Sequence, residues 1–492
     1  MSLINVTNLT FAYEGSYDNI FENASFQIDT DWKLGFTGRN GRGKTTFMNL
    51  LLGRYEYSGN ISASVTFEYF PYEVKDAENF TIDVIREISP NSMDWEIMKE
   101  LSLLDIDDDV FYRQFYTLSK GEQTKVLLAA MFLKENSFLL IDEPTNHLDT
   151  EARKKLSSYL NRKKGFILVS HDRAFLDNCV DHILAINKTN IEIQKGNFSS
   201  WWENKELQDS FEQAENEKLK KDINRLSVAA KRTSSWSDSV ESSKYATTNS
   251  GSKIDRGYVG HKAAKMMKRA KNIEARQQNM IKEKSKLLKN IESNESLKIS
   301  PLKFHDSKLV ELRDISICYD DRVVCEGINF SVEQGERVAL QGKNGSGKSS
   351  ILKLILGEDI PYEGTLVKNN QLVISHVSQD TSDLSGSLSE YAYKYGIDES
   401  LFKSILRKLD FTREQFEKNI EDFSGGQKKK VLIARSLCER AHLYIWDEPL
   451  NFIDVISRMQ IEKLLIEYEP TILFVEHDSA FCENVATKVV RL

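Results

Sequence analysis

The 492-residue chain is expected to fold as an α/β protein, with two phosphate-binding domains in tandem joined by a long α-helical hairpin linker. Three observations carry that expectation. A glycine-rich loop ending in lysine and a hydroxyl residue occurs twice, with its lysines 304 positions apart. A short apolar run ending in Asp-Glu-Pro also occurs twice, with its glutamates 305 positions apart. Between the repeats the composition turns to Lys, Glu and Gln, with apolar residues at helical spacing. The expected divisions are 1–202 and 301–492 for the two α/β domains and 203–300 for the hairpin, with a tip around 240–260.

Length and composition agree with this plan. At about 150 residues per domain the chain has room for about three units. Its 40% hydrophobic and 28% charged residues can fill soluble cores and argue against wholesale disorder. No apolar run approaches the roughly 18 residues that a membrane span needs. The N-terminus, MSLIN, lacks a basic stretch followed by an apolar core, so no export signal is expected and a cytoplasmic location is. Five cysteines without metal-type spacing fit free thiols in a reducing compartment. The net charge of −8, taken alone, argues against a nucleic-acid partner.

The repeated loops are GRNGRGKTT at 38–46 and GKNGSGKSS at 342–350, each between an apolar segment and a helix-like one. Both fit the P-loop. Gly38, Asn40, Gly41 and Gly43, and Gly342, Asn344, Gly345 and Gly347, let backbone N–H groups curl around phosphate oxygens at a helix N-terminus. Lys44 or Lys348 would meet the outer phosphates of ATP, Thr45 or Ser349 would ligate Mg2+, and Thr46 or Ser350 follows in the helix. The runs FLLIDEP at 138–144 and YIWDEP at 444–449 read as buried strands that deliver adjacent carboxylates to a sheet edge. Asp142 and Asp447 would then belong to the magnesium shell, and Glu143 and Glu448 would polarise an attacking water. The same acidic pair before proline would also suit a helix cap.

Between these landmarks lie Ser119, Gly121 and their neighbours in LSKGEQ, and Ser424, Gly425, Gly426 and Gln427 in FSGGQ. Each opens an amphipathic helix, as an N-cap or as a second anion site. Beyond the acidic strands, His171 and His477 recur at strand ends, 306 positions apart, where each could contact a γ-phosphate.

This order of motifs, twice over, resembles the ATP-binding cassette ATPases across essentially both halves of the chain. The resemblance implies that Tyr13 and Tyr319 stack on adenine, although both would also suit a strand core. It places Asp149 and Asp454 in the segment that crosses between cassettes. It further implies head-to-tail pairing, with Lys44 and Glu143 facing Ser424 while Lys348 and Glu448 face Ser119. The sequence departs from the family pattern at two places. The usual glutamine, a magnesium ligand, is Gln379 in the second cassette, but Pro71 stands in the matching segment of the first, where Glu68 or Tyr72 could compensate. The first signature carries Lys120 where the second has Gly425. Two hydrolytic sites of unequal rate are expected.

In the linker, one block carries Leu207, Phe211, Ala214, Leu219, Ile223, Leu226 and Ala230, and a second carries Met267, Ala270, Ile273, Met280, Ile281, Leu288 and Ile291, all at helical spacing. Arms of ~35 residues would each reach about 50 Å. From Lys218 to Lys289 there are 19 Lys or Arg against 6 Asp or Glu, an excess of 13 that leaves −21 for the remainder of the chain. A basic hairpin with Trp236 nearby and Lys244, Tyr245, Lys253, Arg256 and Tyr258 at its tip has the phosphate-neutralising and base-stacking groups that RNA binding uses, although solvated helical linkers are also often lysine-rich.

Two cassettes, no membrane domain and a long charged linker resemble the ABC-F ATPases. There are 48 positions from Pro71 to Ser119 and 45 from Gln379 to Ser424, which leaves no room for an extra arm in the first cassette, and the chain stops soon after the second histidine, so no C-terminal extension is expected. These features, with the FAYEGSY and FEYFPY segments, look like the Lsa-type antibiotic-resistance members. That resemblance implies a monomer that binds the bacterial ribosome at the tRNA exit site, close to exit-site or P-site tRNA. The linker tip would reach towards the peptidyl-transferase centre to dislodge lincosamides, pleuromutilins and streptogramin A, with ATP hydrolysis driving release. The alternatives are a housekeeping ABC-F translation factor acting on stalled ribosomes and, further off, the ATPase subunit of a membrane importer.

Overall fold

The computed structural model describes residues 2–13, 19–146, 148–187, 191–242, 256–286, 297–319, 322–343 and 345–492. Each cassette is built on a mainly parallel sheet. In the first, six strands run in the order Thr66–Phe70, Ser137–Asp142, Phe166–Val169, Lys33–Thr37, His182–Ile186 and Ile191–Lys195, all neighbours parallel except the last pair. In the second, five parallel strands run in the order Ile374–Val377, Leu443–Asp447, Ile472–Val475, Arg337–Gln341 and Lys488–Arg491. Strands covered on both faces should read as continuous apolar runs. Phe138 to Ile141 and Leu443 to Trp446 do so and are fully buried.

A three-stranded antiparallel sheet lies beside each main sheet: Phe21–Asp29, Leu3–Phe11 and Ser58–Ser62 in the first cassette, and Arg322–Glu333, Lys308–Tyr319 and Tyr362–Lys368 in the second. In the first cassette Phe47, on the helix Lys44–Leu51 that follows the P-loop, fills the layer between the two sheets. Its ring lies 5.6 Å from those of Phe26 and Phe36 and 6.1 Å from that of Phe21. Burial of such a ring contributes about 1.5–3 kcal/mol, so the helix that carries the phosphate loop is anchored through its apolar face.

The two cassettes fall in one compact unit, while residues 188–190 and 200–292 form a second. The second unit is dominated by the helices Phe198–Ser242 and Arg256–Lys286, of 45 and 31 residues. At 1.5 Å per residue the first helix is roughly 67 Å long, and it begins ahead of position 203. Its inner stripe departs from the expected one. Leu207 and Phe211 are each 69% exposed, whereas Asn216 is buried and Lys205, Asp209 and Glu212 are half-buried. Trp201 is buried, with Lys205 Nζ 5.3 Å from its ring, and the apolar residues coincide with the inner stripe only from Leu219 onward. In the second helix Ala270 is buried, Met266, Ile273 and Met280 are half-buried, and Met267 and Ile281 face solvent. Ala230, Leu288 and Ile291 lie outside the residues whose side chains are described.

Among the described residues no helix is long and apolar enough to cross a membrane. All five cysteines are free thiols.

Candidate nucleotide sites

Both P-loops connect a central strand to the N-terminus of a helix. Gly43 and Gly347 cap those helices in the left-handed region, with φ of 95° and 87°. A side chain at Gly43 would be strained there and would also meet Ile20 at 2.5 Å. At Gly41 and Gly345 a Cβ would meet nothing within 4 Å, so the loop's outer surface is open to a ligand. Lys44 Nζ donates to the carbonyls of Gly38 at 2.7 Å and Arg39 at 3.1 Å, and Lys348 Nζ to those of Gly342 at 2.8 Å and Lys343 at 2.9 Å. Each ammonium thus lies across its own loop, poised for phosphate oxygens. Burial lowers both lysines below their ordinary value, which nearby carboxylates partly offset. Asn344 lies outside the described residues.

Tyr13 and Tyr319 are equivalently anchored. Tyr13 Oη is 2.8 Å from Thr46 Oγ1, and Tyr319 Oη donates to Ser350 Oγ at 3.2 Å. Tyr13 and Tyr319 are 44% and 40% exposed, so neither is fully buried, and the Tyr13 ring packs against Phe11 and Tyr55 at 5.1 and 5.7 Å.

The acidic strands end as two pairs of unlike character. The backbone N–H of Glu143 donates to Val169 O and that of Glu448 to Val475 O, and both glutamates sit in the left-handed region at φ 50° and 47°. This uncommon backbone for a non-glycine residue turns each carboxylate off the strand end. The histidines lie beside them: His171 Nε2 is 3.3 Å from Glu143 Oε1, and His477 Nε2 is 3.4 Å from Glu448 Oε1. Glu448 Oε2 also accepts from Gln379 Nε2 at 2.9 Å and Asn451 Nδ2 at 2.6 Å. Burial pushes Glu448 up, but His477, Gln379 and Asn451 outweigh it and hold the carboxyl below its usual range. Glu143, by contrast, has no side-chain amide on it among the described residues; its carboxylate is buried beside His171, from whose backbone N–H it accepts. Its burial and the adjacent Asp142 push that carboxyl up to about 8. Burial lowers His171 well below an ordinary histidine.

The strand register corrects the alignment of Pro71 with Gln379. Phe70 pairs with Ile141 in the first cassette, and Val377 pairs with Trp446 in the second. Ile141 and Trp446 each directly precede an aspartate, so Pro71 corresponds to Ser378 and Tyr72 to Gln379. The segment match is one residue out, because nothing in the local sequence fixes where the strand Thr66–Phe70 ends. Tyr72 therefore stands at the Gln379 position, Glu68 pairs with Lys134, and Tyr69 of the same strand donates its hydroxyl to Asp142 Oδ2 at 3.0 Å.

The donor set is suited to magnesium. Thr45 Oγ1 lies 3.5 Å from Asp142 Oδ2, and Ser349 hydrogen bonds to Asp447, whose Oδ1 is buried without a partner. Among the described residues there is no group of three or more His, Cys, Asp or Glu that could hold a metal ion.

The signature serines cap their helices. Ser119 Oγ accepts from the N–H of Glu122 and Ser424 Oγ from that of Gln427, with both Glu122 and Gln427 reaching back to the serine N–H. Capping uses the hydroxyl oxygen as acceptor and leaves its proton free to donate. Asp149 and Asp454 are likewise N-caps, accepting from Ala152 and Ser457.

The first P-loop abuts the second cassette. Asn40 Nδ2 donates to Phe452 O at 2.9 Å and lies 3.3 Å from where a Cβ on Gly426 would sit, while Arg42 lies 3.7 Å from Asp410. The second P-loop shares a cavity of about 1130 Å3 with Asn146, Leu148 and Arg153 of the first cassette, and Lys343 lies 3.7 Å from Glu151. Gly121 approaches Leu148 of that same wall, and a Cβ there would meet it at 3.2 Å. Arg173 and Glu462 form a further ion pair between cassettes. Sequence reasoning missed Tyr69, Asn451 and Arg173. Aligning the repeats by strand register would have exposed the first.

Lys244, Tyr245 and Lys253 lie outside the described residues, as do the side chains of Arg256 and Tyr258.

Comparison with known proteins agrees with this architecture. The ABC transporter family model matches residues 21–146 and 325–451. The ribosome protection protein VmlR of Bacillus subtilis is 28% identical over 98% of this chain and 85% of its own length. The ATP-binding protein Uup of Buchnera aphidicola (subsp. Acyrthosiphon pisum) is 26% identical over 99% of this chain and 80% of its own. Among solved structures, an RNase-L inhibitor superposes with a TM-score of 0.64 at 18% identity, covering 98% of this chain and 87% of that one. With its two cassettes matched in tandem and both sets of nucleotide motifs placed on them, the chain belongs to the ABC transporter family, as an ATPase of the ABC-F type.

Proposed function

We propose that this protein is a cytoplasmic ribosome-protection ATPase that works with Mg2+. It binds the bacterial ribosome at the tRNA exit site while ATP holds its cassettes together. It relieves inhibition by lincosamides, pleuromutilins and streptogramin A, then leaves when ATP is hydrolysed. The observation that carries this is the basic helical unit placed in sequence between two complete nucleotide sites, in a chain that matches a ribosome protection protein over almost its whole length. On the helix Phe198–Ser242, an open groove of about 660 Å3 is lined by Arg225, Arg232, Val228 and the exposed Trp236. Cations beside an aromatic face suit phosphate neutralisation and base stacking.

Within this reading Glu143 and Glu448 orient water, His171 and His477 contact the γ-phosphate, and the sites differ in rate because only Glu448 is held by two side-chain amides. The double variant Glu143→Gln/Glu448→Gln should co-sediment with ribosomes in ATP, and expression of the native chain should raise the inhibitory concentrations of all three drug classes in a sensitive Gram-positive host. Unchanged inhibitory concentrations with intact ribosome binding would favour the second reading, a housekeeping translation factor, which the likeness to Uup supports. Failure to co-sediment would refute both.

A further inference from the structure

We propose that Lys429 and Glu476 are positioning residues for the second hydrolytic site, each bracing the backbone beside one of the two amides that hold Glu448. The inference rests on Glu448 serving that site as the water-orienting group. Lys429 is 3% exposed, borders the cavity that contains Lys348 and Glu448, and donates from Nζ to Ser378 O at 2.9 Å. Ser378 directly precedes Gln379, the first amide donor to Glu448. Glu476 is 5% exposed, and its Oε1 accepts from the N–H of Leu450 at 2.7 Å. Leu450 directly precedes Asn451, the second amide donor. Each brace therefore holds the peptide next to a side chain that fixes Glu448 Oε2. Glu476 is also the foremost of the carboxylates whose charge opposes the effect of burial on Lys429, ahead of Asp447, Glu448 and Asp380.

The first cassette has neither brace. By the same offsets Lys429 corresponds to Thr124, whose hydroxyl donates within its own helix to Lys120 O at 3.0 Å. Glu476 corresponds to Ser170, and Leu450 to Thr145, and these two hydroxyls lie 3.3 Å apart. Gln379 corresponds to Tyr72, and among the described residues Glu143 has no side-chain amide bond like those of Gln379 and Asn451 to Glu448, its neighbour being His171. The second cassette thus replaces a neutral set with one buried cation and one buried anion, both directed at the backbone beside Glu448. Buried charges are costly unless such bonds satisfy them, so their presence beside one glutamate and absence beside the other is a specific difference between the sites.

The test uses the full chain carrying Glu143→Gln, in which Glu448 is the remaining glutamate. Lys429→Thr and Glu476→Ser, the residues of the first cassette, should each lower kcat at least tenfold while KM for ATP and the affinity for a fluorescent ATP analogue stay within twofold. Amide exchange at 378–380 and 448–451 should rise. In the Glu448→Gln background, where no carboxylate remains to be positioned, the same substitutions should cost less than twofold. Equal losses in both backgrounds, a loss in nucleotide affinity matching that in kcat, or an undiminished kcat would overturn the proposal. If Glu143→Gln/Glu448→Gln instead retained the turnover of Glu143→Gln alone, the role of Glu448 itself would be refuted.

Discussion

Lys430 and Asp454 offer a quantitative check on how the second cassette holds the turn that reaches its partner. Lys430 Nζ donates to Asp454 Oδ2 at 2.8 Å and to Leu409 O at 2.8 Å, with the two side chains only 5% and 0% exposed. Asp454 also accepts from the N–H and hydroxyl of Ser457, both at 2.9 Å, and so caps the helix Val455–Tyr468. Burial opposes its charge, yet Lys430 and these donors hold the carboxyl far below its usual range. Lys430→Met strands a buried carboxylate, which costs about 3–5 kcal/mol. At ~2–4 °C per kcal/mol for a domain of this size, the apparent Tm of the second cassette should fall by roughly 6–20 °C. Adding Asp454→Asn removes the stranded charge and keeps the cap, so the double variant should recover most of that loss and the cycle should be strongly non-additive. Thermal melts of the four proteins measure this. A fall below ~2 °C for Lys430→Met, or additive losses, would refute the reasoning.

Three further outcomes are expected. Tyr69→Phe removes the hydroxyl donor to Asp142 and should destabilise the first cassette by about 1.5–3 kcal/mol, the scale of a hydrogen bond to a charged group; a melt within ~1 °C of the native protein would count against that bond. Burial, with Arg435 and Lys429 nearby, lowers His376 to about 4. Its stabilising contribution is therefore complete above pH ~6.5 and lost as pH falls towards 4, by about 2 kcal/mol once partial exposure is allowed for. His376→Phe should melt with less acid sensitivity over that window, and an unaltered pH profile would argue against a buried neutral imidazole. Asn40→Ala deletes the bond to Phe452 O, worth about 1 kcal/mol, and should raise several-fold the ATP concentration that half-closes the cassettes, read by energy transfer between labels on each; an unchanged midpoint would assign the contact no part in pairing.

Much of the site was legible because phosphate chemistry constrains local sequence. A loop that curls N–H groups around an anion needs glycines at fixed spacing and a lysine at the following helix start, and both loops fold so. An apolar run ending in Asp-Glu reads as a covered parallel strand, with a helix cap as the alternative for the acidic pair, and both runs are such strands. The linker was less legible. Leu207 and Phe211 have helical spacing but face solvent, since spacing alone does not say which face of a helix is covered. The local segment match sets Pro71 against Gln379, whereas strand pairing places Tyr72 there and brings Tyr69 to Asp142.

The sequence by itself determined that two nucleotide sites exist, which residue types make them, and that a basic helical segment divides them, because these depend on local spacing and composition. Only the tertiary structure decided how the sites differ. The side-chain amides of Gln379 and Asn451 that reach Glu448, without counterparts at Glu143 among the described residues, and the bond from Asn40 to Phe452 join residues up to 412 positions apart. Such contacts depend on how distant segments meet in the folded chain, which local spacing does not specify.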